Sequence, residues 1–287
     1  MVQPTKIALC AVAKNEAPYI DEWIAFHVLQ GVSEFLIFDN DSTDGTKQAL
    51  ARAARQVPVA VVDWPSQNHD EMQRLAYREG ATRLAGRADW VAFVDIDEFL
   101  FSSRENSLPA ELAQFGPEVG AIAVGHRVFG SSGYTDYAPD LVTSRFVRCA
   151  RPDHPQAQWF KTIARPALID SFDSAHSVVL REGAYLLADG TPLHRDDPDW
   201  HPGHADRVGR GAISLFHYMT KSLQEYRWKQ LRFRDKNMDY RYTDEFFHEH
   251  DAIGDEMEDD ALRRFAAPIR AMMSRWRDDR SPAAASA

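Results

Sequence analysis

Apolar and polar stretches exchange along the first hundred positions in a way that predicts alternating strands and helices. Ile7 to Ala13 is an apolar run of strand length that empties into the polar corner Lys14-Asn15-Glu16. Pro18 suits the first turn of a helix, where its missing N–H costs nothing. Ile20, Trp23, Ile24, His27 and Val28 then recur at helical spacing, so a helix is expected from about Pro18 to Gln30. Phe35 to Phe38 is a second strand, followed by Asp39-Asn40-Asp41-Ser42-Thr43-Asp44-Gly45-Thr46 and a helix that Ser42 or Thr43 can cap. Val57 to Val62 predicts a third strand, Asp70 to Leu84 a third helix and Trp90 to Asp97 a fourth strand. Four strands alternating with three helices predict an α/β fold with a mostly parallel, doubly wound sheet.

Beyond Leu108 the alternation loosens. Ala121 to Val124, Arg145 to Val147 and Phe160 to Ile163 read as strands, and Phe129-Gly130-Ser131-Ser132-Gly133-Tyr134 as a glycine-punctuated loop. Asp189 to Arg210 is polar and proline-bearing, which suits an ordered long loop or lid. Phe216 to Phe233 returns to helical patterning. Leu262, Phe265, Ile269, Met272 and Trp276 mark an amphipathic helix, followed by a tail, Ser281 to Ala287, expected to be disordered. Its arginines fit either an anionic membrane or packing against the domain. The division expected is a nucleotide-binding half over 1–107, a less regular acceptor-side half over 108–235, and a helical extension with its tail over 236–287.

Composition narrows the class. The chain has 287 residues, with 43 acidic against 33 basic side chains and a net charge of −10, which disfavours a nucleic-acid partner. Two distant cysteines give no disulfide framework, and no apolar run reaches membrane-span length. A cytoplasmic protein with at most peripheral membrane contact is expected.

The stretch Trp90 to Phe101 carries the clearest chemistry. A fully apolar strand suits burial on both faces, and it ends in Asp95-Ile96-Asp97. If extended backbone continues through Ile96, both carboxylates face one side. Two like charges so placed call for a cation between them, and an all-oxygen set suits Mg²⁺ or Mn²⁺. A phosphatase-type Asp-x-Asp nucleophile is disfavoured, because that motif continues Gly-Thr and sits on a first strand. His194, His201 and His204 among Asp196, Asp197 and Asp199 match no standard zinc spacing and read as a polar loop.

In their order along the chain, these motifs resemble the GT-A fold nucleotide-sugar glycosyltransferases of family two and the related family ninety-two. The matching stretches are Lys14-Asn15-Glu16, Glu22-Trp23-Ile24-Ala25-Phe26-His27, Phe38 to Thr46, Asp95-Ile96-Asp97-Glu98-Phe99-Leu100, Phe129 to Gly133, and His217-Tyr218-Met219-Thr220-Lys221-Ser222. The resemblance implies that a metal on Asp95 and Asp97 neutralises a departing diphosphate and that Asp39 meets the nucleobase; a turn is the alternative for Asp39. It also implies that His217 lies near the diphosphate, as a third metal ligand or as a packed core residue. Asn15 and Glu16 share the neighbouring strand end. Gln73 and Arg74 on the third helix are donor-side candidates, and Lys221, with Lys161 more loosely, is a phosphate candidate.

An inverting transfer also needs a base for the acceptor hydroxyl. No Glu-Asp pair of the family-two kind stands in a suitable place; Asp173, His176, Asp189 and Asp197 fall in the right region, with Asp173 and His176 preferred. The expectation is a metal-dependent, inverting glycosyltransferase that moves a sugar from a nucleotide donor, UDP-linked by preference, to a glycan or lipid-linked acceptor. A nucleotidyltransferase or a silent nucleotide- or glycan-binding module is the alternative reading.

Overall fold

A computed structural model describes residues 4–65, 69–104, 107–232 and 243–278. The first four strands, β1 (Ile7–Ala13), β2 (Glu34–Asp39), β3 (Val59–Asp63) and β4 (Trp90–Phe93), alternate with α1 (Ile20–Leu29), α2 (Thr46–Ala53) and α3 (His69–Leu84). All three pairings among these strands are parallel, in the order β3-β2-β1-β4.

The period-two pattern then sorts side chains to two covered faces. Ile7, Leu9, Phe35, Ile37, Trp90 and Ala92 enter one core with Trp23 and Phe26 of α1. Ala8, Cys10, Leu36, Phe38, Val91 and Phe93 enter the other with Tyr77 of α3. Gly80 lets α3 approach closely, since a Cβ there would press on Cys10 Sγ. Among the described residues no helix is long and apolar enough to cross a membrane.

The rest of the chain extends this sheet by long-range pairing. The elements are β5 (Glu98–Ser102), α4 (Leu108–Leu112), β6 (Val119–Val128), α5 (Val142–Arg145), β7 (Arg148–Cys149), β8 (Phe160–Ala164), β9 (Ile169–Phe172), β10 (Val178–Leu180), β11 (Ala184–Leu187) and β12 (Ile213–His217). After them come α6 (Leu223–Arg232), α7 (Asp244–Ile253), β13 (Met257–Glu258) and α8 (Ala266–Asp278). The sheet continues β4-β8-β6-β12-β5, with β11 beside β6. Strand β8 runs antiparallel to both β4 and β6, whereas β12 lies parallel to β6 and antiparallel to β5. The α/β class and the mostly parallel sheet stand as expected.

Several local expectations give way. Strand β4 ends at Phe93 and a turn covers Ile96 and Asp97, closed by Glu98 N–H donating to Asp95 O at 3.1 Å. Strand alternation therefore does not set the directions of Asp95 and Asp97. Of the stretch expected to be helical, residues 216–232 are the end of β12, a short connection and then α6, because pairing with β5 and β6 overrides helical spacing around His217; Phe233 lies outside the described residues. Arg145 closes the short helix α5, and the following strand is Arg148–Cys149. Helix α2 begins after Gly45 without a Ser42 or Thr43 cap; Asp44 Oδ1 accepts from Thr46 N instead, at 2.9 Å. The amphipathic C-terminal helix is α8, whose Ile269 and Trp276 join the α1 side of the core. Residues 281–287 lie outside the described residues.

Candidate active site

The site forms where β1, β2 and β4 end, the usual ligand crevice of an open α/β sheet. Asn15 takes a left-handed conformation, φ 54°, and knots two strand ends together. Its N–H donates to Ser42 Oγ at 2.9 Å, and its Oδ1 accepts from Thr43 N at 2.7 Å. Glu16 N–H donates to Thr46 Oγ1 at 2.7 Å, while its carboxylate pairs with Arg232 of α6. Burial holds the Glu16 carboxyl above the usual range, against Arg232 and Lys221. Asp39, only 1% exposed, accepts from Ser42 N at 3.2 Å through Oδ2 and leaves Oδ1 buried without a partner.

Asp95 is tightly held. Gln73 Nε2 donates to its Oδ1 at 2.5 Å, Tyr77 Oη does so at 3.1 Å, and Lys161 Nζ on β8 meets Oδ2 at 2.9 Å. Lys161 is 1% exposed and also stands 3.8 Å from Glu98, so burial, which would lower its pKa, loses to the two carboxylates and the pKa rises. Burial pushes the Asp95 carboxyl up, but Lys161 more than offsets it and the group stays below the usual carboxylate range.

Asp97 has different partners. Lys229 Nζ on α6 lies 2.7 Å from Oδ2, Lys221 Nζ 4.0 Å from Oδ2, and His217 Nε2 3.7 Å from Oδ1. Burial again acts upward, and Lys229, Lys221 and His217 outweigh it to keep Asp97 strongly acidic. The lysines thus neutralise the paired charges that the sequence alone assigned to a metal.

The donor set still suits a divalent ion. Asp97 Oδ1 faces an imidazole, and Glu98 Oε1 and His126 Nε2 are buried without hydrogen-bond partners beside it. Among the described residues, Glu98, His126 and His217 form the group of ligand-type side chains close enough to hold a metal. His217 is held well below the usual histidine range by burial and by His126, so it is a neutral ligand-type ring at pH 7.

Two base candidates separate cleanly. Asp173 is ion-paired to Arg195 at 2.5 Å. His176 accepts no such clamp: its Nδ1 contacts Phe160 O at 3.0 Å, which makes Nδ1 the donor and leaves Nε2 as an acceptor. Burial, Lys161 and His126 lower its pKa to about 3, and its ring stands 6.2 Å from that of His126. Gly203, φ +97°, brings the 201–206 loop against the His176 side chain. Asp189 pairs with Arg207 at 3.0 Å, and Asp197 Oδ1 accepts from Asp199 N. Gln73 reaches the site, whereas Arg74 lies on the exposed side of α3. His201 and His204 pack their rings on Trp159 rather than around a zinc position.

Sequence reading missed His126, Tyr77, Lys229 and Arg232. Only Lys229 and Arg232 carried a signal, as cations on a helix beginning just after the His217-to-Ser222 motif.

The fold and site together are those of an α/β protein with acidic, imidazole and lysine side chains gathered at its strand ends. The family model for glycosyltransferase family 92 matches residues 7–243, and the chain belongs to that family. A family 92 protein of Oryza sativa subsp. japonica is 29% identical over 183 residues, covering 62% of this chain and 30% of its own length. One of Arabidopsis thaliana is 29% identical over 192 residues, covering 62% and 32%. The chain thus spans about a third of the length of these relatives. Among solved structures, S. aureus TarS in complex with UDP is similar at TM-score 0.41 and 14% identity, over 86% of this chain and 70% of that one. Mycobacterium tuberculosis glucosyl-3-phosphoglycerate synthase with Mn²⁺, UDP-glucose and phosphoglyceric acid gives TM-score 0.36 and 19% identity, over 68% and 73%.

Proposed function

We propose that the chain is a metal-dependent, inverting glycosyltransferase taking a nucleotide-sugar donor, a UDP-sugar by preference, and a glycan or lipid-linked acceptor. The observation that carries this reading is the convergence of Asp95, Asp97 and His217 with Lys161, Lys221 and Lys229 at the end of β4. The cations suit a diphosphate, and the buried, unpartnered Oδ1 of Asp39 suits a base N–H. Membership in family 92 supports the same class. Two buried free cysteines fit a cytoplasmic setting.

In this reading the bond from the anomeric carbon to the diphosphate oxygen breaks as the acceptor oxygen bonds to that carbon from the opposite face. The acceptor hydroxyl proton passes to His176 Nε2, which is unprotonated at neutral pH. Lys221 and Lys229 meet the charge that grows on the leaving diphosphate. Mn²⁺ or Mg²⁺ at the Asp95, Asp97 and His217 corner would supply further positive charge there when bound. Asn15 and Glu16 shape the pocket mainly by tying the strand ends, and Gln73 holds Asp95 in place.

Thermal-shift titration with UDP, with and without Mn²⁺, tests the reading. At about a hundred times Kd the gain should be roughly 2.7 kcal/mol. Stabilisation by UDP that requires Mn²⁺, together with UDP release from a UDP-sugar, is expected. No response to any nucleoside diphosphate would overturn it.

A further inference from the structure

A file of aromatic rings leads from the aspartate corner toward the surface. The ring of His126 lies 4.7 Å from that of His217 and 6.2 Å from that of His176, and His176 lies 6.0 Å from Trp159. Extended backbone at Trp159, just ahead of β8, turns its side chain to the same side as Lys161 two residues later. His126 N–H donates to Trp159 O at 2.8 Å, which fixes the two residues side by side. Along this file burial falls, from buried His126 through half-buried His176 and Trp159 to exposed His201.

Two segments zipped together build the outer end. Phe160 N donates to Gly203 O at 3.0 Å, Ala205 N to Gln158 O at 2.9 Å and Gln158 Nε2 to Asp206 O at 3.0 Å. The pairing brings His201 and His204 to 5.1 and 5.2 Å from the indole of Trp159, at interplanar angles of 74° and 81°. Rings so nearly perpendicular stand beside the indole rather than flat over it. A pyranose matches such a surface, because its C–H face packs on an aromatic ring while its hydroxyls exchange hydrogen bonds with imidazole nitrogens at the side. Burial, and after it His201, lower the pKa of His204, so that ring is neutral at pH 7 and offers one donor and one acceptor. Asp196, Asp197 and Asp199 stand exposed on the same loop just before His201, in a chain of net charge −10. Their field opposes a carboxylated or phosphorylated ligand.

We propose that Trp159, flanked by His201 and His204, is the acceptor subsite, where the terminal pyranose of a neutral glycan stacks on the indole and presents a hydroxyl to His176 Nε2. This rests on the glycosyltransferase reading and narrows its acceptor to an uncharged glycan end in place of a phosphate-bearing lipid. The 6.0 Å between the rings of Trp159 and His176 is a span that one sugar ring bridges. Trp159 and the two loop histidines then set which sugar is accepted, while His176 acts on its hydroxyl.

Fluorine NMR of the full chain tests this directly. Labelling with 5-fluorotryptophan gives a signal for each of the seven tryptophans, and Trp159→Phe identifies the one from Trp159. With UDP and Mn²⁺ present, the protein is titrated with the methyl β-glycosides of glucose, galactose and N-acetylglucosamine, and with that of glucuronic acid as the charged counterpart. At least one neutral glycoside should shift the Trp159 signal saturably, and the glucuronide should bind about tenfold more weakly. His201→Ala, which alters an exposed side chain, should weaken the neutral glycoside severalfold. For a glycoside that receives the sugar, Trp159→Ala should raise the acceptor KM about tenfold and the donor KM far less, with a melting curve to show that the variant is folded. Absence of a Trp159 shift with every neutral glycoside, or a glucuronide bound as tightly as its neutral counterpart, refutes the proposal. Equal rises in the two KM values return Trp159 to a purely structural part. UDP-dependent stabilisation of the wild type, measured separately, reports on the glycosyltransferase reading, so that failure of one is read apart from failure of the other.

Discussion

Strands β1 to β4 and strands β5 to β12 meet at one corner but reach it by different routes. The first set is parallel, joined by α1 to α3, and delivers Asp39 as the last residue of β2 and Asp95 and Asp97 just beyond the end of β4. The second is mixed in direction and pairs residues far apart in sequence. It delivers the compensating groups: Lys161 from β8, His126 from β6, His217 from β12 and Lys229 from α6. Apart from Glu98 at the start of β5, the acidic groups come from the regular half and the cationic or imidazole groups from the irregular one. A site assembled in this way is complete only when both halves are folded, which couples its chemistry to the long-range pairs.

The sharpest way to break that division is to remove an acidic member. Asp97→Asn should reduce transfer on the order of a thousandfold while the fold persists, since three positive or imidazole partners lose their common anion. Steady-state kinetics beside a melting curve check it, and an active variant would separate the site from the aspartate pair. Removing the opposing cation should act on stability instead. Lys161→Met leaves Asp95 and Glu98 without their buried counter-ion, and about 3–5 kcal/mol should be lost in denaturant unfolding. A change below about 1 kcal/mol would mean that the two carboxylates do not depend on β8.

A smaller effect concerns the contact between α1 of the regular half and β5. His27 is fully buried, contacts Trp23 O through Nδ1 at 2.8 Å and accepts from Leu100 N through Nε2 at 3.0 Å; burial lowers its pKa to about 3. The unfolded chain takes up a proton near pH 6.5, and the folded chain does so only near 3. This contribution to stability is therefore full above 6.5 and declines by about 1.4 kcal/mol per pH unit on acidification toward 3. Unfolding of wild type and His27→Gln between pH 7 and 4 should show the shallower slope in the variant. The least effect is expected at Asp39→Ala, where donor KM should rise about tenfold with kcat little changed, because contacts to the base are equal in ground and transition states. An unchanged KM would make the buried Oδ1 a feature of the turn only.

The contrast also explains what was legible from the chain. Strands β1 to β4 and helices α1 to α3 were readable because each is a local run whose apolar period matches its geometry. Gln73 was readable only as a donor-side candidate on α3; its hydrogen bond to Asp95 appears only in the fold. The strand around His217 was hidden, since Phe216 and Tyr218 fit helical spacing as well as a strand, and only pairing to β5 and β6 decides between them. Asp173 and His176 could not be told apart in sequence; the distinction lies in Arg195, nineteen residues or more away on a different segment, and in Phe160 O.

By itself, then, the sequence determined the α/β class, the parallel first half and the acidic strand ends, because these depend on neighbours a few residues apart. The tertiary structure alone decided what balances those acids. Lys161 lies 66 residues from Asp95 and Lys229 lies 132 from Asp97. Charge compensation and ligand geometry act through space over a few ångströms, and no pattern along the chain records which distant side chain will fill that distance.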